Sequence, residues 1–531
     1  MNDKRIKLGI DLGTTYSAAA YVDEHGDARI IPNSENERIT PSVVFFESEN
    51  NIIVGQRAKE EIEISPEQVV SHIKREMGKK KDEVRKEYNN GNPKPYEFFG
   101  KVFSPEEISA LILKKLKKDA EAHFQGEEIK DAVITVPAYF SDAERQATKD
   151  AGTMAGFNVL QVINEPTAAA IAYGISKSAD ESQKVFVFDL CGGTFDVTIL
   201  DVRINKGNRE INIVNSDGDH RLGGKDWDDL VIDYIADEFI KEHGEDPRKN
   251  IDTMARLRSD SERIKKTLSD KESARVAVTT DSNNLKMEIT REKFEELTLD
   301  LMIRIQGLCN HVFNNTGLEW SDIDTVLLAG GATRMPMVKN MLGKLSGKAV
   351  RTDLINPDEC VALGAALQAA ITTMNDDKEI SQEIRDKLGN ITVRDVTSHT
   401  IGTVVWSDIE NKEIVVPMIK KGTPVPYSHT EKFVTRADYQ KAVKIEIVEG
   451  ESTIPGNCTT ILEGELQIVN PMPKGAPIQE THTLSIDGIL TVKATDLTNN
   501  KELVSQVDRK GNLSSEEIKT GSEYMKSINV E

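Results

Sequence analysis

The apolar positions of this 531-residue chain change period part-way along it. From Met1 to about Thr373, short β-rich runs alternate with longer stretches of helical period. Ile6–Asp11, Val133–Val136, Val185–Asp189 and Val326–Ala329 are apolar runs that stop at glycine, proline or an acidic residue, while Pro105–Phe124, Asp142–Ala155 and Asp226–Lys241 read as helices. That alternation predicts a layered α/β architecture. Met374–Asn390 is polar and charged and predicts a connector or the end of a unit. Beyond it the helical period disappears. Val443–Ile447 and Leu466–Val469 alternate as half-buried strands do, and Asp487-Gly488 predicts a hairpin turn within Ser485–Leu490. Val396 to about Val507 therefore predicts an antiparallel β domain. Ser514-Ser515-Glu516-Glu517 has the form of a capping box opening one last short helix. The expected division is an α/β unit over 1–373, a linker region over 374–395, a β domain over 396–510 and the start of a helical segment over 511–531.

One element recurs. Ile10-Asp11-Leu12-Gly13-Thr14-Thr15 returns as Phe188-Asp189-Leu190-Cys191-Gly192-Gly193-Thr194, each copy between an apolar strand and a second β-rich run, Ser17–Val22 or Asp196–Leu200. A turn of glycine and threonine aims backbone N–H groups and hydroxyls at one point and forms a nest for phosphate oxygens. A strand-end aspartate supplies the hard oxygen that magnesium takes, often through water. Either turn alone is as well read as an ordinary hairpin; the recurrence shifts the weight to two turns facing across a phosphate-binding cleft. A third turn, Gly330-Gly331-Ala332-Thr333-Arg334-Met335-Pro336, leads into a helix at about Met337. Its glycines permit close approach of a flat ligand, although taken alone a tight strand-to-helix loop is the slightly better reading.

Composition mostly excludes. With 88 acidic against 67 basic side chains the net charge is −21, which repels a phosphate backbone and argues against nucleic acid as a partner. Cys191, Cys309, Cys360 and Cys458 are scattered, with no metal-ligand spacing and no disulfide framework. The N-terminus lacks the apolar core of a secretory signal, and no apolar stretch approaches the ~20 residues of a membrane span. The default location is the cytoplasm.

Gly9-Ile10-Asp11-Leu12-Gly13-Thr14-Thr15-Tyr16-Ser17, Val136-Pro137-Ala138-Tyr139-Phe140, Asn164-Glu165-Pro166-Thr167-Ala168-Ala169-Ala170 and the Gly330–Pro336 turn resemble motifs of the 70-kilodalton heat-shock chaperones. They stand in the family order, and the likeness runs from Ile6 to about Ile518. The resemblance implies an actin-like, two-lobed ATPase of ribonuclease-H-like halves, followed by an antiparallel β-sandwich that binds extended apolar peptide. It further implies ATP/ADP and Mg2+ as cofactors, K+ as a further candidate ion, unfolded polypeptide clients, a J-domain co-chaperone and a nucleotide-exchange factor.

Carried onto matching positions, the resemblance implies that Asp11 and Asp189 hold magnesium through water from opposite lobes. Thr14, Thr15, Gly192, Gly193 and Thr194 surround the phosphates, with Gly13 and Tyr16 also in the nucleotide-binding set; Lys74 positions the attacking water, and Glu165, Asp196 and Thr194 complete the catalytic side. Glu262, Lys265 and Ser269 fall at i, i+3 and i+7 and match adenosine contacts, with Gly331, Arg334 and Asp358 opposite. Lys266, Gly223, Gly224 and Gly330 join the nucleotide set, and Pro137 and Arg145 relay lobe movement. Periodicity alone would leave Glu262–Ser269 an exposed helix face and Lys74 a solvated charge. Phe433, Val443 and Ile445 are candidate peptide-pocket residues or plain sandwich core.

Three departures stand out. Cys191 replaces a family glycine, which costs ~1 kcal/mol or more if that position requires positive φ; slowed hydrolysis is the expected consequence, and a tolerated substitution is expected over a redox-sensitive thiol. The linker Asn390-Ile391-Thr392-Val393-Arg394, followed by Ser398-His399-Thr400, lacks the family's leucines and is expected to dock weakly; Trp406 and Arg436 are also atypical. The helical lid is nearly absent, so fast peptide exchange is expected. Competing functions are a nucleotide-locked scaffold without turnover, favoured by Cys191 and the linker, and a small-molecule kinase, disfavoured by the β domain.

Overall fold

The two copies of the repeated turn lie at equivalent places in two sheets of one plan. The computed structural model describes residues 6–531 apart from 82, 85, 88–92, 95, 176–181, 206–207, 352–354, 375–380, 500 and 504–511. The first sheet runs Asn158–Asn164, Asp131–Val136, Lys7–Asp11, Tyr16–Val22 and Ala28–Ile31, parallel across the first three strands and antiparallel after. The second runs Thr325–Ala329, Ser182–Leu190, Phe195–Asn205 and Asn208–Asp219 in the same sense. In each, the strand bearing the turn aspartate has a parallel neighbour on one side and an antiparallel hairpin partner on the other. Asp11 pairs with Ala18, and Asp189 with Asp196.

Two helices of small apolar residues, Glu165–Ile175 and Cys360–Thr373, fill the space between the sheets and share a core with both. Their approach is close: a Cβ on Gly364 would lie 1.7 Å from the Ala168 carbonyl oxygen. The outer helices Pro105–His123 and Asp142–Met154 begin at Ser104 and Ser141, each with a complete capping box to Glu107 or Glu144.

Beyond residue 400 all named strands of the next two sheets are antiparallel. One sheet orders Lys412–Ile419, Ile401–Ser407, Gln440–Glu449 and Thr459–Met472; the other orders Tyr427–Val434, Pro477–Leu484, Leu490–Asp496 and Lys501–Leu503. Alternate residues of both, among them Ile445, Ile447, Ile478 and Val492, form one shared core. The Asp487-Gly488 turn joins two of these strands, with Gly488 at φ 72°.

The linker departs from expectation. Met374–Asn390 is not a plain connector, because Gln382–Leu388 is a helix capped by Ser381, with Leu388 buried. Ile391–Arg394 is a fifth strand of the second sheet, parallel to Asn208–Asp219. Backbone pairing and the burial of Ile391 dock it without leucines. Residues 375–380 of this region, and the expected end of the β domain near Val507, lie outside the described residues.

The final helix, Ser515–Ser527, has the capping box read from Ser514 and Glu517. It lies against Pro105–His123 and Asp142–Met154, not on the β sheets. Asn529–Val530 then adds a parallel strand to Asn51–Val54, and Met525, Ile528 and Val530 enter the core behind the first sheet. Among the described residues no helix is long and apolar enough to cross a membrane.

Candidate active site

The repeated turns meet across a cleft of about 530 Å3, within the range of small-molecule pockets. Asp11, Gly13, Thr14, Thr15 and Tyr16 line one side, Cys191 and Gly192 the other. Gly330, Gly331 and Arg334 of the third turn, Gly224, Asp358, and Glu262, Lys265, Lys266 and Ser269 of the helix Ile251–Asp270 complete the walls. The turns are in direct contact: a Cβ on Gly192 would stand 1.8 Å from Thr15 Oγ1, and one on Gly223 would stand 2.6 Å from the Gly193 backbone. Gly193, Thr194 and Gly223 thus underlie the lining, with Thr194 buried.

At the back of the turns lie three buried acids, Glu165, Asp189 and Asp196, the half-buried Asp11 and one ammonium. Lys74 Nζ donates to Glu165, Thr135 Oγ1 lies 3.5 Å from Asp11, and the Tyr139 N–H donates to Asp196 at 3.1 Å. Burial, reinforced by Glu165, pushes Asp11 and Asp196 up to about 8, and raises Asp189 well above the carboxylate range. Burial opposes the Lys74 charge, yet Glu165 and Asp11 hold its pKa above the ordinary value. Thr14 Oγ1 and Asp189 Oδ2 are buried without a hydrogen-bond partner. Four carboxylates, with Asp189 Oδ2 and the Thr14 hydroxyl unpartnered, form a donor set that fits a hard cation, and the Lys74 ammonium suits phosphate beside it.

Ion pairs tie the two sides together. Lys59 Nζ bonds Glu262 at 2.6 Å, and Tyr16 Oη donates to Glu262 at 3.2 Å. Against burial, Lys59 and Lys266 pull Glu262 down to about 2. Arg75 bonds Asp226 at 2.6 Å and the Gly193 carbonyl at 2.9 Å. Lys265 reaches the Gly224 carbonyl and Asp228, both at 2.7 Å, and Arg334 pairs with Asp358 at 2.5 Å. Sequence reasoning missed Lys59 and Arg75.

Cys191 corrects an expectation. Its φ is not positive, so the strain argued for a non-glycine residue does not arise. Its Sγ donates to Asp189 Oδ1 at 3.1 Å, and burial together with Asp189 pushes the thiol well above its usual range, away from the thiolate that a redox sensor needs.

The family model for the Hsp70 protein matches residues 7–530. The chain belongs to the Hsp70 family. It is 42% identical to the chaperone protein DnaK of Thermotoga neapolitana over 524 residues, which is 97% of this chain and 82% of that protein. It is 41% identical, over the same shares, to the DnaK proteins of Thermotoga petrophila and Thermotoga maritima.

In this Hsp70 chain a short tract connects the cleft to the β sheets. Pro137 ends the strand Asp131–Val136, and the loop after it holds Asp196 through the Tyr139 N–H. The same loop accepts from Ser398 at the Ala138 carbonyl and lies 3.2 Å from His399 Nε2 at the Tyr139 carbonyl. Arg145 is buried and donates to the Ala138 and Phe140 carbonyls and, at 2.6 Å, to Asn164 Oδ1. Asn164, next to Glu165, donates to Asp395 at 2.8 Å. In the β sheets Ile445 is buried, while Phe433 and Val443 are half-buried against the shared core. Arg436 stacks on the half-exposed Trp406, 3.8 Å from the ring centroid.

Proposed function

We propose that this Hsp70 chain is an ATP-driven chaperone of the cytoplasm that binds extended apolar segments of unfolded proteins, with ATP binding and hydrolysis setting peptide affinity. Residues 1–373 form the actin-like, two-lobed ATPase, 374–395 the linker region, 396–510 the peptide-binding β-sandwich and 511–531 the start of a helical segment. A J-domain co-chaperone and a nucleotide-exchange factor are its expected partners.

Bound Mg2+ would neutralise developing phosphate charge between Asp11 and Asp189. Thr14, Thr15 and the glycines of both turns orient phosphate oxygens by backbone and hydroxyl donors. Lys74, held by Glu165, orients the attacking water, and Asp196 keeps the loop Pro137–Phe140 in register with the cleft. Glu262, Lys265, Ser269, Gly331, Arg334 and Asp358 form the adenosine wall, and K+ is a further candidate ion. Phe433, Val443 and Ile445 receive the peptide side chain. The observation that carries this reading is the loop that touches Asp196 on one face and Ser398 and His399 on the other, with Arg145 and Asn164 bracing it. A change at the cleft acids must disturb the linker contacts.

The test is single-turnover ATP hydrolysis with and without an extended apolar peptide, beside Cys191→Gly. Slow turnover accelerated by peptide is expected. Tight ATP binding without hydrolysis, restored by the glycine, would instead make this chain a nucleotide-held binding protein, the reading that the Cys191–Asp189 hydrogen bond favours.

A further inference from the structure

We infer that Cys191 turns the cation position at the back of the cleft into a sulfur-bearing metal site, which takes a thiophilic divalent cation of the zinc or cadmium kind on Cys191 Sγ, Asp189 and Glu165. Among the described residues these three make the one group of three potential ligands whose atoms all lie within 4.8 Å of one another. A four-coordinate zinc with bonds of 2.0–2.3 Å separates its ligand atoms by about 3.5 Å, so the group needs only small side-chain adjustments. Cys191 Sγ and Asp189 Oδ1 are already 3.1 Å apart.

Two further observations point to a ligand. Asp189 is 1% exposed, and its Oδ2 has no hydrogen-bond partner. Thr14, 2% exposed, has an equally unpartnered Oγ1 and lines the cleft beside Cys191. The Lys74 ammonium bonds Glu165, so Glu165 gives the metal its other carboxylate oxygen or exchanges Lys74 for the cation when it binds.

The choice of cation follows from the sulfur. Magnesium takes oxygen ligands, retains several waters and has no use for a thiolate, whereas soft ligands favour zinc and its heavier congener. On binding, the Cys191 S–H bond breaks, the S–metal bond forms and the proton passes to solvent; no electron is exchanged. The site shares its position with the magnesium of the proposed function but requires neither nucleotide nor turnover. Failure of magnesium-dependent hydrolysis would therefore leave this inference standing.

The test titrates the full chain with Cd2+, without nucleotide, following the ultraviolet thiolate-to-cadmium charge-transfer band. A single equivalent should develop the band, and millimolar Mg2+ should not displace it. Cys191→Ser and Cys191→Gly should abolish it, and Asp189→Asn should weaken binding about tenfold or more. Cys458→Ser should leave it unchanged. Circular dichroism verifies the fold of each variant, and the glycine variant restores the family's residue should serine be poorly tolerated. A band that survives both Cys191 replacements, or that vanishes in Cys458→Ser, overturns the inference.

Discussion

Among Asp11, Glu165, Asp189 and Asp196, Lys74 is the buried ammonium that bonds Glu165. Lys74→Ala is expected to lower single-turnover hydrolysis by about 10²–10³-fold, the usual loss for a positioned electrostatic donor, while nucleotide affinity changes little. Lys59 acts differently, because its bond to Glu262 spans the mouth of the cleft. With both side chains partly solvated, Lys59→Ala should speed ADP release about two- to fivefold, as read by displacement of a fluorescent analogue. Asp11 and Asp189 were legible because a repeated strand-end acid is visible in one dimension. Lys59 and Arg75 were not, since their partners Glu262 and Asp226 are 203 and 151 residues away. The strain argued for Cys191 hung on a backbone angle that no side-chain identity fixes.

At the scale of elements, period and caps located most strands and helices, because local sterics and N-cap chemistry act within a few residues. The linker escaped that logic. Ile391–Arg394 docks by backbone pairing to a strand nearly two hundred residues earlier, and its affinity for that edge does not show in its own side chains. Ile391→Asp places a charge in the core that Ile391 joins, and should detach the strand. Limited proteolysis should then cut near residue 391, and peptide should no longer accelerate hydrolysis; unchanged cutting would count against docking. In the β sheets, Trp406 of the strand Ile401–Ser407 packs against Arg436 in the loop between the strands Tyr427–Val434 and Gln440–Glu449. An exposed cation–π contact contributes about 0.5–1 kcal/mol, so Trp406→Ala should raise the peptide off-rate about two- to fivefold.

The whole molecule carries a pH dependence at its joint. Burial, together with Asp142 and Glu144 of the helix Asp142–Met154, pushes Glu449 of the β sheets up to about 8, while Arg145 opposes the rise. Released from the joint, Glu449 returns to the ordinary carboxylate range near 4.3. At Glu449 the docked form binds more protons between about pH 4 and 8; His399, pushed down to about 4 by burial at the same joint, offsets this below about pH 6.5, so docking weakens as pH rises from there to about 8 and levels off above it. Energy transfer between labels on the helix Pro105–His123 and on the β sheets should fall from pH 6 to pH 8, and Glu449→Gln should flatten the response. This interaction lay beyond sequence reading because Glu449 meets its neighbours only through tertiary docking.

The strand Asn529–Val530 gives that joint a mechanical aspect. The β sheets are moored fore and aft: Ile391–Arg394 is sewn into the second sheet, and Asn529–Val530 into the layer behind the first. Their two moorings sit on opposite walls of the cleft. Any rotation of one wall against the other would alter the span between them and load the β sheets like a strain gauge slung across the cleft, before any of their own contacts has broken.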